Sequence, residues 1–464
     1  MTIRLIRFLP DKKASTMKLR INIVLLAMLT GCGHSTGPDR SNPSPNHKVR
    51  STEKLTSKDV QQATGAGYIS PAGARQECLG RLVFDVGQSV QWPTYINKDA
   101  NFIFSSLFGE EVFDSGDGIK VQNMRIAVVG PTTPSTVKRA YSDAPWAKIE
   151  RHKEYIDEYS AYAKRLRSEK NVSKRNKKDI ADTEKSIRDW ENVIKETELK
   201  YENFVLPVPD SRAFWKGEDS NGDGILTHSL YRAYLNRSEF TYIFESEVEL
   251  KDEMTKERHK QQFLDIVGRF RPRKAGEIPT DLGVCFPYGF IADDGKMITD
   301  IKQSLRWEDA PGVIYSIQTG NVTERNTKSA TIRAIGTAAA ARVALGSNGG
   351  ENAVLTHQVG PVLTRIGGLR ASQGGFALRI SNAGREPFDT YNVFTGYSGW
   401  GGSAVLPFIL IEMSTRTMEQ APELKSNPPP FKQSMGRLET LLKSTRLRPT
   451  TPLMPDMAAL NEKK

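Results

Sequence analysis

Residues 17–32 constrain this chain more than any other stretch, because they decide the compartment in which the remainder folds. Lys18 and Arg20 give a short basic start, and 21–29 is apolar apart from Asn22. The run ends in Leu29-Thr30-Gly31-Cys32. A positive start, an apolar stretch of about 7–15 residues and small residues at the cut make a secretory leader. The run falls short of the roughly 20 residues that cross a bilayer, so 1–31 reads as a signal peptide. Pro10-Asp11-Lys12-Lys13 does not suit an apolar leader, which makes Met17 the expected start of translation.

A cysteine directly after Thr30-Gly31 is more than an ordinary secretory cut needs. The stretch resembles a bacterial lipobox, and that resemblance implies that Cys32 is lipidated and becomes the new, acylated amino terminus. The bland alternative is a plain signal peptide with an incidental cysteine. Two or more acyl chains anchor stably where one is marginal, at about 0.8 kcal/mol per buried methylene. Gly33 stands where the inner-membrane retention signal of such lipoproteins places Asp. The expectation is a periplasmic protein, lipid-anchored to the outer membrane. Residues 32–70 then form a flexible tether, since Ser41-Asn42-Pro43-Ser44-Pro45-Asn46 and its neighbours bury too little apolar surface to offset their ordering entropy.

The net charge of +11 suggests nucleic acid until it is located. Residues 1–31 hold six basic side chains and one acid, which leaves 59 basic against 53 acidic residues, or +6, after the cut. From Glu423 onward eight basic and four acidic residues account for another +4. The body is close to neutral, whereas nucleic-acid proteins gather basic charge on one face of the folded domain. That class is excluded. Besides Cys32 only Cys78 and Cys285 remain, a pair that forms a disulfide in an oxidising compartment or stays as two buried thiols; both readings are open.

Along the chain, Leu82, Phe84 and Val86 alternate with Arg81, Val83 and Asp85, the period of a half-buried strand, and 124–129 reads as another. Ile149, Ile156, Tyr159, Ala163 and Leu166 share one helical face, as do Ile180, Ile187, Trp190 and Ile194, with a polar, mostly basic turn over 168–178. This is a helical hairpin, either projecting toward a partner or laid on its own sheet; the rule that apolar stripes are core favours the second. Strands are expected at 239–250, 312–319, 376–381 and 406–413, while 327–335 is ambiguous and 338–344 helix-prone. Arg269 to Gly276 looks like a domain joint. The expected fold is α+β, with two domains (71–272 and 273–421) of mainly antiparallel sheet plus helices, the first carrying the hairpin. A Pro-rich basic tail, 422–464, follows, with a short helix at 435–443.

Chemistry is scarce. Asp219, Asn221 and Asp223, with Gly224, imitate the first half of a calcium loop, but its twelfth place, which needs a bidentate acid, is Leu230. A Gly/Asp turn without metal is the favoured reading, and no other metal-ligand spacing or cofactor motif occurs. Gly396-Tyr397-Ser398-Gly399-Trp400 approaches a nucleophile elbow but puts Trp400 where Gly belongs, so Ser398 gives only a weak hydrolase reading. Of the six histidines, His34, His47, His152, His228 and His259 fall in tether, helix-face or polar surroundings and His357 stands alone. No catalytic constellation emerges.

Two segments carry a resemblance. Glu77-Cys78-Leu79-Gly80-Arg81-Leu82-Val83-Phe84-Asp85-Val86 is similar to the opening of periplasmic immunity proteins of the class-four lipase-immunity family, which neutralise phospholipase effectors of the bacterial type VI secretion system. Glu277-Ile278-Pro279, Gly283-Val284-Cys285-Phe286 and Gly289-Phe290-Ile291 resemble the opening of that family's C-terminal domain; Gly374-Gly375-Phe376, Gly399-Trp400-Gly401 and 406–413 resemble its end. The resemblance covers about 75–420. It implies two α+β domains arranged as a clamp, no enzymatic activity, no cofactor, and a cognate phospholipase effector as partner, whose catalytic pocket is occluded. A structural or assembly lipoprotein of the outer membrane is the alternative, because it needs the same anchor and equally lacks catalytic residues.

Overall fold

The computed structural model describes residues 56–65, 67–87, 90–95, 106–108, 111–113, 117–130, 140–142, 144–169, 173–206, 208–219, 226–237, 239–249, 253–321, 353–381, 386–400, 403–418, 421 and 424–455. The leader, Cys32 and the stretches 327–335 and 338–344 lie outside them. Helix α1 (Ser57–Ala63) opens on a capping box, in which Asp59 N donates to the Thr56 hydroxyl and Thr56 N donates to the Asp59 carboxylate at 2.8 Å. Strands β1 (Gln76–Leu79) and β2 (Leu82–Asp85) follow as a hairpin. Next come the short β3 (Val90–Gln91), β4 (Thr94–Tyr95), β5 (Ser106–Phe108) and β6 (Glu111–Phe113), then β7 (Gly118–Val121) and β8 (Met124–Val129). Helices α2 (Pro145–Arg167) and α3 (Lys174–Lys200) make the hairpin, with Ser173 capping α3 by accepting from Asn176 N at 3.0 Å.

A meander of β9 (Tyr201–Phe204), β10 (Ser211–Asp219), β11 (Leu226–Arg237) and β12 (Phe240–Glu249) leads into α4 (Glu253–Gly268) and β13 (Phe270–Pro272). The second half holds β14 (Gly283–Phe286), β15 (Gly289–Ala292), β16 (Thr299–Trp307), β17 (Val313–Gly320), β18 (Ala353–Ile366), β19 (Leu369–Ile380), β20 (Phe388–Tyr397) and β21 (Phe408–Thr415). Helix α5 (Phe431–Ser444) and β22 (Arg446–Leu447) finish it.

The fold is α+β with antiparallel pairing throughout the described strands. The main sheet runs β18-β19-β20-β21-β17-β16-β7-β8-β12-β11-β10-β9, and smaller sheets are β1-β2-β22, β13-β15-β14 and β4-β5-β6. Strand β16 pairs with β7 in register Asp300 to Lys120 and Ile301 to Ile119, so residues from both halves of the chain share one sheet and one apolar core. Arg269 to Gly276, expected as a joint, carries β13, paired with β15, and the buried Arg273.

Three expectations are corrected here. The end of the expected tether is folded, with α1 over Ser57–Ala63, Ala63 buried, and the Tyr68 hydroxyl donating to Asp85 at 2.8 Å. Strand β2 is buried on both faces, not one, because its residues meet core on either side while β1 and β22 take its two edges. The segment read as a tail is part of the body. Leu438, Leu441, Leu442 and Leu447 are buried, and β22 pairs with β2 through Leu82–Leu447 and Val83–Arg446. Four buried leucines contribute on the order of 1.5–3 kcal/mol each, enough to hold a Pro-rich, basic segment against the fold.

Candidate partner-binding surface

The two family-like segments meet in space. Cys78 and Cys285 are joined in a disulfide with their Cα atoms 5.8 Å apart, and Gly80 and Cys285 exchange backbone hydrogen bonds of 2.7 and 2.8 Å. Gly80 lies at φ +58°, and a Cβ there would stand 2.7 Å from Thr319 Cγ2, so the crossing requires glycine. Around it, charges that read as solvated are buried in pairs. Arg273 donates from Nη1 and Nη2 to Glu77 Oε2 at 3.3 Å, and Gly276 N donates to Glu77 Oε1 at 2.9 Å. Arg81 donates to Asp293 at 3.3 Å and to the Met297 carbonyl at 3.1 Å. Arg448 is 1% exposed, donates to the carbonyls of Asp281 and Gly283 at 2.8 Å, and lies over the Phe290 ring. Burial pushes its guanidinium down to about 10, which leaves it charged at neutral pH. This seam is a brace and not a docking surface, since its charged side chains are buried against carboxylates and backbone carbonyls.

The helical hairpin offers the opposite kind of surface. Its root is fixed: Trp146 packs edge-on against Phe214 and Tyr234 at 5.9 and 5.5 Å, and Tyr201 closes on Phe214 at 5.4 Å. Besides Pro145 and Thr197 near that root, only Ala163, Leu166 and Thr183 of the two helices are buried. Twenty-seven residues of α3 extend for about 40 Å. Midway, Tyr155 and Tyr159 flank Trp190 with ring centroids 5.4 and 4.7 Å away, and both tyrosines remain more than a third exposed. Arg165 sits over Tyr162 at 5.2 Å. His152, beside Tyr155, is held below the usual imidazole range by burial and by Lys148 and Arg151. The stripe that sequence assigns to core is thus covered mainly by the sister helix, which leaves Trp190 half-buried between exposed Tyr155 and Tyr159, with Arg165 exposed nearby, and Tyr, Trp and Arg are the residues enriched at protein interfaces.

Residues 277–450 match the family model described as the Tle cognate immunity protein 4 C-terminal domain. This part of the chain is similar to the C-terminal domain of that family. No curated protein matches. Among solved structures, the apo immunity protein TplEi of the type VI secretion system from Pseudomonas aeruginosa aligns at 14% identity and a TM-score of 0.46, over 82% of this chain and 98% of that one. A Tle4–Tli4 complex aligns at 14% and 0.47, over 82% and 100%, and TplEi complexed with an "L" peptide at 14% and 0.44, over 82% and 100%.

The matched region takes in α5 and β22, since it ends at residue 450. The family it resembles is described as an immunity protein, not an enzyme. Ser398 follows β20 in a turn whose Trp400 N donates to the Leu406 carbonyl at 2.9 Å, and the chain goes on into β21 where an elbow would enter a helix. Asp219 ends β10 and Leu226 opens β11, so the calcium-like stretch joins two antiparallel strands; Leu230 lies opposite Lys216 within them, and Asn221 and Asp223 are outside the described residues. Among the described residues no group of three or more His, Cys, Asp or Glu converges to hold a metal ion, and no helix is long and apolar enough to cross a membrane.

His259, expected on a helix face or in polar surroundings, is 4% exposed on the inner face of α4. Its Nδ1 shares a proton with the Ser229 hydroxyl at 2.8 Å and its Nε2 with Ser246 at 2.7 Å. Burial pushes it down to about 4. The signal was present in the spacing of His259, Phe263 and Ile266, four and three apart on one helical face.

Proposed function

We propose that this protein is an immunity protein that binds a cognate type VI secretion phospholipase effector and keeps it from its lipid substrate by steric occlusion. The match of 277–450 to the Tle cognate immunity protein domain carries this reading. The protein acts in the periplasm, exported by its leader and held to the outer membrane through lipidated Cys32, a location supported by residues 17–33. The half-exposed aromatic face of the hairpin is one contact surface, braced at its root.

Co-expression with the phospholipase effector should rescue cells from periplasmic toxicity, and the two purified proteins should associate. Trp190→Ala removes the ring at the centre of the aromatic face and should weaken association at least tenfold, the range of an interface hot spot, with little change in melting temperature. Purified partners that fail to associate at micromolar concentration would refute the reading; association that ignores Trp190→Ala would remove the hairpin from it.

A further inference from the structure

We infer that a basic cleft beside α1 is a binding site for a phosphate-bearing anion, the phosphodiester headgroup of a membrane lipid. The cleft has a volume of about 470 Å³ and is walled by three segments distant in sequence: α1 with Lys58, the β18–β19 turn with Arg365 and Gly368, and the last turn of α5 with Lys443. Glycine permits this convergence. A Cβ on Gly368 would stand 2.6 Å from the Gln62 carbonyl oxygen, and Gly367, at φ +55°, donates its N–H to the Leu442 carbonyl at 2.6 Å. The turn is pinned between two helices.

The wall carries three cations and no carboxylate. Of the acids on adjoining segments, Asp59 caps α1 and Asp85 accepts from Tyr68, Ser70 and Gln76 and pairs with Arg446, while Glu439, one turn before Lys443, is exposed and does not line the cleft. Arg365 is steadied by donating to the Gly368 carbonyl at 2.7 Å, which leaves the rest of its guanidinium edge for a ligand. Three like charges around one hollow repel each other, and a phosphate relieves that repulsion while accepting charge-assisted hydrogen bonds from Arg and Lys. The cleft is within the roughly 300–1,000 Å³ of small-molecule sites, larger than a bare oxyanion requires and sized for a phosphodiester with its glycerol. Lys58 also follows Cys32, the residue expected to carry the lipid, by only 26 positions. The cleft is separate from the hairpin and does not depend on the effector.

The test is calorimetric titration of the exported full chain carrying Cys32→Ser, so that no acyl group is attached, in phosphate-free buffer. The probes are short-chain phosphatidylglycerol below its micelle concentration, inorganic phosphate and an acidic peptide. One site for the lipid is expected, with affinity lost at least tenfold in Arg365→Gln/Lys443→Gln and an unchanged melting temperature without ligand. Lys58→Gln, on an exposed helix face, gives the same readout should the double variant fold poorly. Inorganic phosphate binding as tightly as the lipid would bear out the anion site and overturn the headgroup as its source. No binding of either phosphate at millimolar concentration, binding unaffected by the variants, or preference for the peptide would overturn the proposal.

Discussion

Acid should destabilise this protein through His259 in particular. The side chain is buried between α4 and the β11–β12 pair, edge-on to Tyr231 at 4.9 Å. Both ring nitrogens face serine hydroxyls, which rotate to donate or accept, so protonation does not orphan a hydrogen bond. The cost is desolvation of the cation, the one cause of its fall to about 4. The group's folded value lies below the ordinary 6.5, so between pH 6.5 and 4 the unfolded chain binds more protons and stability rises with pH. His259 therefore contributes nothing adverse above about pH 6.5, and stability is lost as pH falls from there toward 4. A difference of about 2.5 pH units at about 1.36 kcal/mol each sets a ceiling of roughly 3 kcal/mol. Urea unfolding of wild type and His259→Gln from pH 4 to 8 isolates the effect, because Gln offers both serines a partner but does not ionise. Asp265, Arg269, Asp294 and Lys296, which line the same cavity, are common to both proteins and cancel in the difference. The wild type should lose up to 3 kcal/mol more than the variant over that range. A difference under about 1 kcal/mol would show that the imidazolium is solvated in the folded state and refute the argument.

The seam makes two further predictions. Replacing Cys78 and Cys285 by Ser should lower stability by at most about 5 kcal/mol, the chain-entropy value for a loop of this length, and non-reducing mass spectrometry of the wild type should show the bond. Glu77→Gln leaves Arg273 buried without a counter-charge and should cost about 3–5 kcal/mol, read as a lower urea midpoint at constant slope. Because Glu77 adjoins Cys78, the two sets of substitutions should not add.

Much of the sheet was legible from period alone. Strand β8 has the expected bounds, β12 spans Phe240–Glu249 against 239–250, and β21 begins directly after Pro407, which lacks the donor a ladder needs. The hairpin helices agree as well, and only their surroundings differ, since periodicity marks a face but not what covers it. Strand β16 went unseen because Gln303, fully buried, occupies an inward position and breaks the alternation of Ile301, Leu305 and Trp307. Strand β18 was hidden for the opposite reason: as the sheet's outermost described strand it exposes Val354, Val362 and Leu363, so no inward period is left to read.

Charge misleads most where it is paired at long range. Arg448 lies in a basic, Pro-rich run, and nothing within ten residues of it predicts that its donors satisfy the carbonyls of Asp281 and Gly283 while its own backbone N–H donates to the Arg81 carbonyl at 2.8 Å. The C-terminal segment is therefore a strap across the seam, linking the β1–β2 hairpin to the start of β14, the elements that hold Cys78 and Cys285. A body braced in this way by a disulfide, buried ion pairs and its own terminus changes little in shape when it binds. Such rigidity suits an inhibitor, because a surface ordered beforehand avoids the roughly 0.5–1.5 kcal/mol per side chain that ordering on contact would cost. The hairpin is the part of the described chain that stands outside this brace, with Tyr155 and Tyr159 exposed beside a half-buried Trp190.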